Sequence, residues 1–232
     1  MRNLASYASF FKLAAICSLL GATTTALLIF LPQTSAPDFE TQVLLHQNQL
    51  YLTKLWILFF HPQFNLIASL GLGLLLFKKK PWAIIIGSLF LACWAYTEMR
   101  QQAFLIDALN QMWRPNYLAE VEDDQRHMYR TLIKGMGGIN DSHYFVVIYA
   151  FGMGSLLFGW AMLKEQNWGR YLGGALVFIG LLSLASFGRY YLGVSFLNPP
   201  VDFSYRWVYP YLQPLVRIGI AVWIYEQYLK NS

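Results

Sequence analysis

A chain of 232 residues that is 56% hydrophobic and only 12% charged is not an ordinary soluble domain, where about a quarter of residues carry charge. Its formal charge of +5 arises from 17 basic and 12 acidic residues, and the basic ones flank apolar runs, which gives nucleic-acid binding no support. Cys17 and Cys93 both fall inside apolar runs, so a secreted disulfide framework is excluded as well. The composition points to lipid as solvent. The expected fold is all-α: a polytopic membrane protein with six transmembrane helices and an amphipathic helical loop between spans three and four, forming one integral membrane domain over 1–232.

A span needs about 20 mainly apolar residues to cross roughly 30 Å of hydrocarbon. The first candidate is 13–31, closed by Pro32. Arg2 and Lys12 ahead of it, and a candidate cleavage site at Thr34-Ser35-Ala36, give it the look of a signal sequence. Its uncharged run is longer than the roughly 7–15 residues of a signal-peptide core, so it reads as a retained span. Cleavage after Ala36 would leave five spans. The polar stretch 38–54 reads as a surface helix. Span two, 55–77, ends at Lys78-Lys79-Lys80-Pro81, and span three, 82–103, continues as helix to about Ile106 because no Gly or Pro interrupts it. Residues 107–142 form the one long polar segment. Leu118, Val121, Met128, Leu132 and Ile133 are spaced for a helix lying on the membrane or on the bundle. Gly137-Gly138 is expected to break that helix, and Asp141 or Ser142 to cap the next. Spans four to six are 144–163, 171–190 and 207–227, with Pro199-Pro200 in the last connection.

Orientation follows the basic residues. With both termini cytoplasmic, the inner segments hold Arg2, Lys12, the Lys78–Lys80 triplet, Lys164, Arg170 and Lys230 against only Glu165 and Glu226. Counting Lys and Arg alone, the two sides tie. The short, Lys-dense inner turns decide the orientation, and a bacterial-type inner (plasma) membrane is the expected location.

Polar side chains inside a bilayer are costly and usually face the bundle interior. His61, Asn65 and Ser69 form one stripe at four-residue steps, and so do Tyr209, Gln213 and Arg217. Glu98 shares a face with Gln101 and Gln102. At about 1.5 Å per residue all of these but Ser69 fall in the outer half of the membrane, while the cytoplasmic half is nearly all apolar. The expected ligand site is therefore Glu98, Arg217, His61, Asn65, Gln102 and Arg189, with Glu98 facing Arg217 or Arg189 as an ion pair. Pro210 and Pro214 loosen span six above Arg217, which favours a cavity. Tyr190, Tyr191, Phe203, Tyr205, Trp207, Tyr209 and Tyr211 suit an interfacial belt, or a lid over a pocket.

Other motifs carry less. The His61-x-x-x-Asn65 spacing resembles that of rhomboid proteases, but Gly152-Met153-Gly154-Ser155 has the wrong order for their nucleophile turn and the last two spans contain no His; a protease is excluded. Ser155 with Gly159 reads as helix packing, as do Gly71-x-Gly73 and Gly173-Gly174. His61, Glu98, Asp141 and His143 lack metal-ligand spacing, and Glu120, Asp123, Asp124 and His127 read as a solvated helix face, so neither a metal nor a cofactor is expected. The expected function is binding or transport of a small amphipathic or lipidic molecule. Two alternatives stand beside it: an intramembrane enzyme acting on a lipid or isoprenoid with Glu98 as general acid or base, and a non-catalytic subunit or assembly factor of a membrane complex. Membrane lipids are expected partners, and a homo-oligomer or larger complex stays open.

Overall fold

The computed structural model describes residues 7–231, the Asn231 side chain excepted, so Arg2 lies outside it. The described residues are 88% helical and contain no strand. In chain order the helices are α1 (Ala8–Phe30), α2 (Phe39–Leu44), α3 (Gln49–Leu76), α4 (Pro81–Phe104), α5 (Arg114–Ala119), α6 (Asp123–Met162), α7 (Gly169–Tyr191), α8 (Asn198–Trp207) and α9 (Tyr209–Asn231). A π-helical stretch, Leu105–Trp113, joins α4 to α5. Local chemistry explains the boundaries. Asp38 caps α2 by accepting from the Thr41 amide at 2.7 Å, and Asn48 caps α3 by accepting from the Tyr51 amide at 3.0 Å. Pro81 and the Pro199-Pro200 pair sit in first helical turns, where a missing N–H costs nothing.

Five helical segments are long and apolar enough to cross a membrane: α1, α3, the continuous run Pro81–Ala119, α6 and α7. The protein is thus an all-helical chain of multi-pass membrane character. α9 has 23 residues, but Gln213, Arg217 and Glu226 make it more polar than those five. One face of it is nonetheless apolar, where Tyr211, Leu215, Ile218, Val222, Tyr225 and Leu229 are all exposed.

Six long helices close into a ring. α1 packs on α3 and α9, α3 on α4, α4 on α6, α6 on α7, and α7 returns to α9. The chain runs alternately up and down, so one face carries the short turns 77–80 and 163–168 and the other carries the connectors 31–48, 105–122 and 192–208. On the connector face, the buried Lys54 ammonium donates to the Pro32 carbonyl at 2.6 Å and the Leu31 carbonyl at 3.2 Å, a cation placed at the C-terminal end of α1. On the turn face, Lys79 pairs with Glu165 at 2.5 Å.

Two hydrophobic cores result. The ring core includes Leu72, Leu76, Ile84, Phe158, Met162 and Ile224. A second core, built from Val43, Leu55, Leu109, Tyr117, Ile133 and Met136, gathers α2, the start of α3, the π-helical stretch, α5 and the first half of α6 on the connector face. This core overturns the expected break at Gly137-Gly138: α6 runs unbroken for 40 residues, about 60 Å at 1.5 Å per residue, twice the hydrocarbon thickness. An interior glycine costs a helix only about 1 kcal/mol, whereas Ile133 and Met136 are buried in the second core and hold the helix in place. Asp141 and Ser142 consequently cap nothing; the Ser142 hydroxyl donates back to the Gly138 carbonyl at 3.0 Å. The third helix likewise overruns Ile106. It widens through the π-helical stretch, where Asn110 donates to the Leu105 carbonyl at 2.6 Å and accepts from Arg114 at 2.5 Å. The Pro199-Pro200 connection is the opening turn of α8.

The turn half of the ring is sealed by close helix approach. A Cβ on Gly159 would lie 2.6 Å from the Val177 amide nitrogen, and one on Gly180 would lie 2.7 Å from that of Leu156, so only glycine lets α6 and α7 touch along their backbones. Phe158 fills the space beside Gly87 and Gly73.

Candidate functional site

Three helices meet at a hydrogen-bonded relay in the middle of the ring. Arg217 on α9 donates from Nη1 to the Asn65 Oδ1 on α3. Because that oxygen is the acceptor, the Asn65 Nδ2 is the donor toward His61 Nε2, 3.0 Å away. His61 Nδ1 then carries the proton and donates to the Thr24 hydroxyl on α1 at 2.8 Å, and Thr24 donates onward to the Leu20 carbonyl at 2.9 Å. The relay is directional and uses a neutral imidazole with its proton on Nδ1. Ser18 on α1 adds a bond to the Arg217 carbonyl at 2.7 Å. Gly21 allows this closeness: a Cβ there would collide with Asn65 Oδ1 and stand 3.7 Å from Arg217 Cδ. Pro62, fully buried beside His61, and Pro214 in α9 each remove a helix hydrogen bond at this level.

Beside the relay, on its connector side, the ring leaves a cavity of about 270 Å³. Its polar wall includes Glu98, His61, Tyr144, Tyr205, Tyr209 and Gln213, and Trp94 and Phe151 are among its apolar residues. A smaller space of about 50 Å³ lies deeper, where Arg217, Asn65, Ser69, Ser155 and Gln213 face Leu72, Leu91 and Phe158. Trp94, Phe151 and Gln213 line both, so the two are neighbouring compartments. Ser155 and Gln213 are buried and have no hydrogen-bond partner among the described residues. Buried polar groups without protein partners call for water or a ligand, and a space this size admits a few waters.

Glu98 makes no ion pair among the described residues. The Trp94 indole, one turn back on α4, reaches its carboxylate, and Arg217 faces it electrostatically without direct pairing. Arg189 is not at this site: it pairs with Asp202 of α8 at the connector surface. The chain between α7 and α9 folds back as a helix and offers Arg189 a nearer carboxylate than Glu98. Gln102 is buried with its Oε1 unpartnered, yet it lines neither compartment. The structure thus brings Glu98, His61, Asn65 and Arg217 together and leaves Arg189 and Gln102 outside.

The aromatic residues divide into two groups. Phe203, Trp207, Tyr211 and Tyr190 are more than half exposed and form a belt. Tyr205 and Tyr209 turn inward onto the cavity, with α8 laid across its rim. Burial, reinforced by Tyr144, pushes the Tyr205 phenol up to about 12. Thr24, Thr25, Trp94, Tyr144, Phe151 and Ser183 are site residues that sequence reading missed. Trp94 had a usable signal in its four-residue spacing from Glu98. The threonines of α1 had none, since threonine is common in membrane helices and here mostly bonds its own backbone. No group of three metal-ligating side chains assembles among the described residues.

Compared with known protein families, with curated proteins and with solved structures, the chain matches none.

Proposed function

We propose that this is a six-span inner-membrane protein, with both termini cytoplasmic, that binds a small amphipathic or lipidic molecule in a pocket opening to the outer leaflet. The observation that carries the reading is Glu98: a carboxylate in the ring interior, without an ion pair among the described residues, on the wall of an open cavity. A structural charge would be packed against its partner, whereas a binding group keeps space in front of it. The sixth span is α9, whose exposed side chains form a continuous apolar stripe while Gln213 and Arg217 turn inward. The Lys-rich turn face suits the cytoplasmic side.

The sealed turn half favours binding from the connector side over passage through the ring, since no polar path continues beyond Ser69 and Ser155. An enzymatic reading, with Glu98 as general acid or base, uses the same cavity; His61 is engaged by Thr24 and Asn65 and offers Glu98 no help. The subunit or assembly-factor reading draws on the outer surface of the connector face, where Val121 is 91% exposed and Leu118, Met128 and Leu132 are exposed as well.

The test is to purify the protein in lipid nanodiscs and identify co-purifying small molecules by mass spectrometry, beside Val147→Trp, which fills the cavity from α6. A compound retained by the unaltered protein and lost from a well-folded Val147→Trp supports the pocket. Equal retention by both sinks it.

A further inference from the structure

We propose that the ligand of this pocket bears an ammonium group, held between the Glu98 carboxylate and the rings of Trp94, Tyr144, Tyr205 and Tyr209. The inference rests on the pocket reading above and deepens it. Glu98 is the one carboxylate among the cavity's lining residues, and no Lys or Arg side chain lines that compartment. Arg217 belongs to the deeper space, below Gln213, and spends an N–H on Asn65. An anionic head group in the larger compartment would face a carboxylate at close range, and a neutral one would leave that carboxylate with only Arg217, in the deeper space and without direct pairing, to offset it in a medium where unpaired charge is expensive.

The aromatic wall points the same way. Trp94, Tyr144, Tyr205 and Tyr209 line the same compartment as the carboxylate, Tyr205 brought in by α8 and Tyr209 by the start of α9. Rings of Trp and Tyr attract a desolvated cation, and the pairing of such rings with one carboxylate is a general solution for an alkylammonium group. The apolar part of the ligand has its own surface in Ile29, Val147, Ile148 and Phe151. A compartment of about 270 Å³ suits a compact ligand, not a two-chain lipid.

The experiment compares three eight-carbon probes that differ only in their head group: n-octylammonium, 1-octanol and octanoate. Each is titrated at pH 7 into the full chain in nanodiscs, with empty nanodiscs subtracted. Octylammonium is expected to bind at least about tenfold more tightly than the other two, the factor that about 1.4 kcal/mol represents. Glu98→Gln is expected to bring it down to the octanol level, and Val147→Trp to abolish all three. The ranking on the unaltered protein carries the test even where Glu98→Gln does not fold. Equal or tighter binding of octanol or octanoate, abolished by Val147→Trp, overturns the ammonium assignment and leaves the pocket standing. Binding that Val147→Trp does not touch, or no binding of any probe, overturns both.

Discussion

Two arginines are placed deep in this protein, and their surroundings differ. Arg114 belongs to the second core outside the ring, is only 2% exposed, and lines neither compartment of the ring. It donates to Asn110 at 2.5 Å and to the Tyr51 hydroxyl at 3.3 Å, and its guanidinium lies 5.3 Å from the Tyr51 ring centroid. Arg217 in the ring also bonds an asparagine, yet open space adjoins it and an unpaired carboxylate faces it. Each guanidinium leaves its Nε without a partner. The difference between them is packing. Arg114 is built in as a plug that joins the π-helical stretch to α3, whereas Arg217 is held at the edge of a space the fold has not filled. A buried cation in a closed core is evidence about stability. One at the wall of a cavity is evidence about a ligand.

Substitutions sharpen or break that contrast. The largest effect is expected from Arg114→Leu, which strands Asn110 and Tyr51 in the second core; a loss of about 3 kcal/mol follows, with octylammonium binding unchanged in the folded fraction. Thermal unfolding in nanodiscs measures it, and a loss of probe binding in that fraction would show that the two regions are not separate. Gly21→Val comes next, at about 2 kcal/mol, because the added methyls meet Asn65 and push α1 away from the relay. Its read-out is again the unfolding midpoint. Glu98→Gln is expected to change stability by less than about 1 kcal/mol, since no ion pair is broken. A loss as large as that of Arg114→Leu would place Glu98 among the structural charges and remove the main support for the site.

The smallest effect is a pH dependence. Tyr205 is held neutral by burial, with its phenol raised from an ordinary 10.0 to about 12. A raised value means that the folded state keeps its proton longer than the unfolded chain does. The stabilising contribution is therefore complete below pH 10 and lost as pH rises through 12. Proteolysis of the 192–208 connector should accelerate across that window in the parent protein, and the acceleration should be weaker in Tyr205→Phe.

The coarse architecture was legible because a bilayer imposes strong constraints. Long apolar runs, Lys-rich turns and polar stripes at four-residue steps are local signals, and they located the helices of the ring as well as Glu98, His61, Asn65 and Arg217 as inward-facing groups. The second core was not legible, because its contributors Val43, Leu55, Leu109, Tyr117 and Ile133 are scattered over five elements, and its burial is what carries α6 through Gly137-Gly138. The fate of Arg189 was equally hidden: its partner, Asp202, is set by the return of α8 across the rim.

By itself the sequence determined that the chain is helical, that it belongs in lipid and which side chains must turn away from lipid, because those follow from hydrophobicity and a 3.6-residue period. Only the tertiary structure decided that the helices close into a ring, that one half of it seals while the other keeps a cavity, and that Asn65 and His61 join a relay while Glu98 is left facing open space. Those outcomes depend on how closely the glycines of α6 and α7 let backbones approach and on which donors meet which acceptors between helices far apart in the chain.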